Sequence, residues 1–153
     1  MSPTCRVVAL ALALMVLAAG SARAEESADP ESSSEAMLAR INEARSAEGL
    51  PPLAHAPRLE RSAAAYGRRL MAEDRFGHDG WIETSARFRV LGEILSFHRG
   101  GRLRPAFTLR GWLASFVHRS LVLGPFSHAG PAPVKGRFGG RRAVIWVVHF
   151  GGR

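Results

Sequence analysis

Met37, Leu38, Ile41 and Ala44 recur at helical spacing and predict a first amphipathic helix. Ser32 and Glu35 have capping-box spacing at its start. Gly49 stops it, and Pro51-Pro52 reinforces the stop. Pro57 suits the first position of a second helix, along which Leu59, Ala63, Tyr66 and Leu70 keep helical spacing through Met71. Small residues at 63–65 allow another element to approach closely. Arg61, Arg68, Arg69 and Glu73 form the solvated face. His78-Asp79-Gly80 reads as a loop, 85–90 as a weak helical turn, 92–97 as a short apolar segment and 98–105 as a basic turn. Thr108 caps a third helix whose apolar stripe is Leu109, Trp112, Leu113, Phe116 and Val117. That helix runs into His118, and Gly124-Pro125 breaks the chain. Residues 126–130 predict a strand and 131–142 a Gly/Pro/Arg connection. Residues 143–150 predict a strand that is apolar nearly throughout, as expected when both faces are covered. Helices first and strands last predict an α+β domain with an antiparallel sheet.

The ends add an address. Arg6, the apolar run 7–19 and Ala22-Arg23-Ala24 make a signal peptide over 1–24. Residues 25–35 (EESADPESSSE) lack the apolar side chains needed to fold and read as a flexible acidic leader; 36–153 is one domain. The expected location is secreted or periplasmic, with no transmembrane segment after cleavage. Cys5, the one cysteine, leaves with the signal, so the domain depends on packing and not on disulfides.

Charge is unevenly distributed. The chain has 21 Lys and Arg against 13 Asp and Glu, and all 13 acids lie at or before Glu93. Beyond it come ten basic residues and no acid, which favours weak contact with an anionic envelope surface. Only one of the 21 is Lys, so a bias towards Arg throughout the chain accounts for much of the excess. Export and the absence of a reader motif argue against nucleic acid.

The residues with the most chemistry are His78, Glu93 and His118. Two imidazoles and a carboxylate satisfy three positions of a tetrahedral ion and leave one for water, or they serve acid–base work. Each also has a plain structural role: loop bonding for His78, a buried salt bridge for Glu93, a helix C-terminal charge for His118. His128 and His149 read as structural or surface residues, with His149 satisfied against a helix. Ser115 shares a helix face with His118, but no Gly-flanked nucleophile turn, HExxH or phosphate loop is present.

The order of motifs resembles the CAP superfamily (SCP domain), the cysteine-rich secretory, antigen 5 and pathogenesis-related 1 proteins, in its cysteine-free bacterial branch. The resemblance rests on Ile41-Asn42-Glu43-Ala44-Arg45, Gly49-Leu50-Pro51-Pro52-Leu53, Phe76-Gly77-His78 and Gly92-Glu93. Trp112-x-x-Ser115-x-x-His118-Arg119 and Trp146-Val147-Val148-His149-Phe150-Gly151 complete it. It implies a three-layer α-β-α sandwich with a small antiparallel sheet and a central cleft. By position, that cleft is lined by His78, Glu93 and His118, which in some members hold a divalent metal, zinc foremost, with Ser115 where many eukaryotic members carry a second Glu. The chain departs from the pattern at Ile94, at Phe116-Val117 in place of Pro-Gly, and at His128 in place of an acid.

The expected function is an exported binding or interaction module, with His78, Glu93, Ser115 and His118 holding a small ligand or envelope component and His78, Glu93 and His118 the metal. Catalysis is not the expectation. The alternatives are a metal-dependent envelope hydrolase using the same cleft and a polyanion-binding protein working through its Arg-rich C-terminal half.

Overall fold

The structure, a computed structural model, describes residues 34–79, 82–83 and 88–153. The signal peptide, most of the leader, Ser32 of the capping box, Gly80 of the expected loop and residues 85–87 of the turn expected at 85–90 lie outside the described residues.

Helix α1 spans Ser34–Ala47 and buries Met37, Ile41 and Arg45. It ends where Gly49 takes a positive φ of 69°. Strand β1 (Ala54–His55) follows, then α2 (Pro57–Ala72), which opens on proline as expected. Strand β2 is Val90–Arg99, longer than the apolar segment predicted there. Helices α3 (Pro105–Ala114) and α4 (Phe116–Val122) come next, then β3 (His128–Phe138) and β4 (Arg141–Gly152).

The four strands form one sheet in the order β1-β3-β4-β2. β3, β4 and β2 are antiparallel, while β1 pairs parallel with β3, so the sheet is mixed. Alternation along β4 divides the core. Val144, Trp146, Val148 and Phe150 pack with Met37, Ile41, Trp112 and Val122 on the α1, α3 and α4 side. Ile145 and Val147 pack with Ala63, Tyr66 and Leu70 on the α2 side. This is the three-layer sandwich. It explains why β4 is apolar at consecutive positions, since each face meets helices.

Several sequence expectations fail. The 131–142 connection is mostly the β3–β4 hairpin, despite Pro131 and Pro133. Ala56 N–H donates to Ala129 O, so odd positions of β3 direct their backbone polar groups towards β1. β1 pairs only with His128 and Ala129, so Pro131 and Pro133 face an open edge where no N–H is needed.

The helix expected to run straight into His118 breaks at Ser115, whose backbone is extended (φ −97°, ψ 123°). Trp112 is fixed in the core, its Nε1–H donating to Leu95 O at 2.9 Å. After the break, Val122 reaches the core, and Phe116 and Val117 of the expected stripe are 88% and 64% exposed. Thr108 lies inside α3 and does not cap it.

Candidate functional site

Glu93 is opposite His149 in the β2–β4 register, and directly opposed residues share a sheet face. That face is covered by α2. Glu93 Oε2 lies 2.8 Å from Nε2 of His149, and His149 Nδ1 lies 3.1 Å from Ser62 Oγ on α2. His149 is 0% exposed. The other carboxylate oxygen, Oε1, lies 2.7 Å from Nδ1 of His78, whose side chain is 52% exposed. The result is a relay from solvent to core: His78, Glu93, His149, Ser62.

Hydrogen-bond logic assigns the protons. A carboxylate only accepts, so both imidazoles donate to it, His78 through Nδ1–H and His149 through Nε2–H. In a neutral His149 ring Nδ1 then accepts from the Ser62 hydroxyl. A neutral His78 ring keeps Nε2 as an acceptor, with the ring's orientation set by Glu93.

Tyr66 holds the loop that carries His78. Its hydroxyl donates to Gly77 O at 2.5 Å and accepts from Asp79 N–H at 3.1 Å, bracketing His78 on both sides. Asp79 also meets the Arg69 guanidinium, which lies over the Tyr66 ring. Burial first, then the charges of Glu93 and Asp79, push the Tyr66 hydroxyl above the ordinary phenol range. It therefore stays protonated and able to donate.

The sequence-derived set is only partly assembled. His78 and Glu93 meet. His118 and Ser115 belong to the other helical layer: they line an open hollow of about 410 Å³ whose wall also carries Phe76, Phe97, His98 and Phe107. Neither bonds to His78 or Glu93 among the described residues. The two parts share an edge, because Phe76, two residues before His78, lines that hollow.

Among the described residues, no group of three or more His, Cys, Asp or Glu side chains is arranged to hold a metal ion. The reason is visible at Glu93. Both oxygens already face an imidazole nitrogen at hydrogen-bond distance, and His149 has no exposed edge. The residues do not fit the divalent ion that the resemblance implies.

Sequence reasoning missed Ser62, Tyr66 and the weight of His149. Ser62 and Tyr66 are four apart and so share a helix face, which was legible. That this face meets Glu93 depends on the strand register, which was not.

Within the hollow, His98 Nε2 lies 2.7 Å from Ser96 Oγ and 2.8 Å from Thr108 Oγ1. Burial, and secondarily Arg104, lowers the His98 pKa from its ordinary value of 6.5. The unfolded chain thus takes up this proton at higher pH than the fold does. The stabilising contribution is complete above pH 6.5 and is lost as pH falls through the folded value. Urea midpoints measured from pH 7.5 to 5 should fall, and less steeply in His98→Gln. Identical slopes in the two proteins would remove His98 as the cause.

An α-β-α sandwich with a carboxylate–imidazole relay beside an open hollow is the class of domain these features define. Residues 38–150 match the family model CAP, the cysteine-rich secretory protein family, and the chain belongs to that family. The fold is similar to an outer surface protein of Borrelia burgdorferi (21% identity, TM-score 0.63, 78% of this chain and 91% of that one). It is also similar to an extracellular SCP-domain protein of Bacillus anthracis (20% identity, TM-score 0.62, 78% of this chain and 40% of that one). A third likeness is to a cysteine-rich secretory protein of Staphylococcus aureus (14% identity, TM-score 0.52, 78% and 38%). The chain thus spans less than half of the Bacillus and Staphylococcus proteins. No curated protein sequence matched significantly. Among the described residues, no helix is long and apolar enough to cross a membrane.

Proposed function

We propose that this chain is an exported binding module in which His78, held by Glu93 and His149, is the polar anchor for a small ligand. The observation that carries this reading is the two-sided grip on Glu93. One carboxylate fixes the exposed imidazole on one oxygen and a fully buried imidazole on the other. Such a grip removes rotational freedom before any ligand arrives, which lowers the cost of binding. The exposed His78 Nε2 suits a hydroxyl or N–H donor, as on a glycan or peptide of the envelope. The adjoining hollow offers apolar surface at Phe76 and Phe107 and polar groups at Ser115 and His118.

A hydrolase is less well supported. Ser62 is buried with its hydroxyl engaged by His149, and Ser115 is not bonded to a base among the described residues. The anionic contact expected from composition has its own support. Arg99, Lys135, Arg137, Arg141 and Arg142 are exposed where the end of β2 meets the β3–β4 hairpin.

The test is a thermal-shift and turnover screen against soluble glycan and peptide panels. Stabilisation by a panel member without turnover, lost in His78→Ala and weakened in Tyr66→Phe, is the expected result. Turnover that His78→Ala abolishes would install the hydrolase in its place. Zinc-dependent stabilisation lost in both His78→Ala and His118→Ala would install the metal reading.

A further inference from the structure

A second hollow, of about 250 Å³, lies away from the His78 relay and is lined by His55, Arg58, Phe88, His128 and Arg153 among others. We infer that it is a binding site for a phosphate-sized oxyanion carried on a small organic group. Three observations converge.

The first is unbalanced charge. Arg58 and Arg153 are both exposed at the hollow, and neither has an ion-pair or hydrogen-bond partner among the described residues. Glu60, the carboxylate that meets the lining residue His55, is engaged there, its Oε2 lying 2.6 Å from Nε2 of His55. A lining with two guanidinium groups and no carboxylate matches an anion able to accept paired N–H donors.

The second is the position of Arg58. It is the second residue of α2, where a helix disfavours a cation. Ala56 at the cap supplies no side-chain acceptor. A bound anion would offset both.

The third is an oriented ring. His128 Nδ1 lies 2.8 Å from Ser127 Oγ, and that hydroxyl is 3.4 Å from Gly151 O. The hydroxyl donates to the Gly151 carbonyl and so accepts from His128 Nδ1–H, which fixes the His128 ring on the wall of the hollow. Phe88 packs on the His128 ring at 5.3 Å and gives the hollow an apolar side for an organic remainder. The floor is stiff. β3 passes so close to the first turn of α2 at Gly130 that no side chain fits between them.

The source of the oxyanion, a free phosphate ester or a lipid headgroup, is separated by two arms. In the first, the purified chain is titrated with inorganic phosphate against sodium chloride of equal ionic strength, followed by thermal shift. Saturable stabilisation by phosphate beyond the chloride control is expected. Arg58→Gln and Arg153→Gln should each weaken it roughly tenfold, since each removes a charge-assisted bond. In the second arm, the chain is sedimented with phosphatidylglycerol vesicles. Vesicle binding lost in Arg58→Gln, with no response to free phosphate, assigns the site to a headgroup. The inference is overturned by a phosphate response equal to chloride together with vesicle binding that Arg58→Gln leaves intact, because such binding belongs to the basic end of the sheet. It is also overturned by a phosphate response that both variants retain.

Discussion

Replacing Arg45 with alanine is expected to destabilise the domain by about 3–5 kcal/mol, a large fraction of the stability of an ordinary domain. Arg45 is 1% exposed and lies in the last turn of α1. Its guanidinium donates to Pro51 O, Val122 O and Gly124 O at 2.9 Å each, with a longer contact to Phe126 O at 3.4 Å. It therefore ties the end of α1 to the loop after it, to the end of α4 and to the approach to β3. Burial lowers its pKa from the ordinary value, the signature of a charge taken out of water, and the carbonyl dipoles stand in for a counter-ion. Truncation leaves a cavity and takes the guanidinium donor from Pro51 O, Val122 O and Phe126 O, while Gly124 O keeps the Phe126 N–H; a buried carbonyl that loses its donor costs free energy. Urea unfolding should show a lower midpoint with an unchanged slope. Arg45→Met, which refills volume but not the bonds, should recover only part of the loss. The exposed pair Arg119–Glu48 is the contrast: Glu48→Gln should cost no more than about 1 kcal/mol. A loss of the same small size in Arg45→Ala would mean that water reaches those carbonyls.

Gly130→Ala should be as damaging for the opposite reason. A Cβ there would lie 2.0 Å from Glu60 N and 2.4 Å from Leu59 C, both backbone atoms that cannot rotate away. Overpacking in a core costs about 1–3 kcal/mol when side chains can shift. Here β3 and the first turn of α2 must separate, so the cost should exceed that range and the yield of soluble protein should fall. Because Ser62 follows Leu59 and Glu60 on the same helix, the relay should loosen too. Amide exchange at the α2–β3 contact and at the His78 loop would read both effects. Unaltered exchange and stability would show that the helix has room to retreat.

Much of the architecture was legible in particular residues. The recurrence of Met37, Ile41 and Ala44 at i, i+4 and i+7 placed α1. Pro57 placed the start of α2, and the unbroken run at 143–150 marked a strand covered on both faces. Local punctuation misled where a tertiary partner overrode it. Pro131 and Pro133 read as connection because their lack of an N–H argues against a strand. That objection vanishes only because β1 ends after two residues and leaves the edge open. Phe116 and Val117 read as core because they continue a stripe, yet the chain turns at Ser115 and buries Val122 instead.

The candidate site divides in the same way. The sequence by itself determined the run of helices and strands, and its motifs carried the resemblance that implied the family, the three-layer sandwich and His78, Glu93 and His118 as cleft residues. These follow from local spacing and motif order, which are properties of the chain as written. Tertiary structure alone decided that Glu93's second partner is His149 and not His118. A strand residue's neighbours are fixed by register, and one step of register moves a side chain to the other face of the sheet. Glu93 and His149 share the α2 face, where Ser62 and Tyr66 wait, while His118 and Ser115 lie with α3 and α4 on the other side of β2. No pattern within one segment encodes which face of a distant segment it will meet. The trio that the sequence suggests is therefore a relay of different membership.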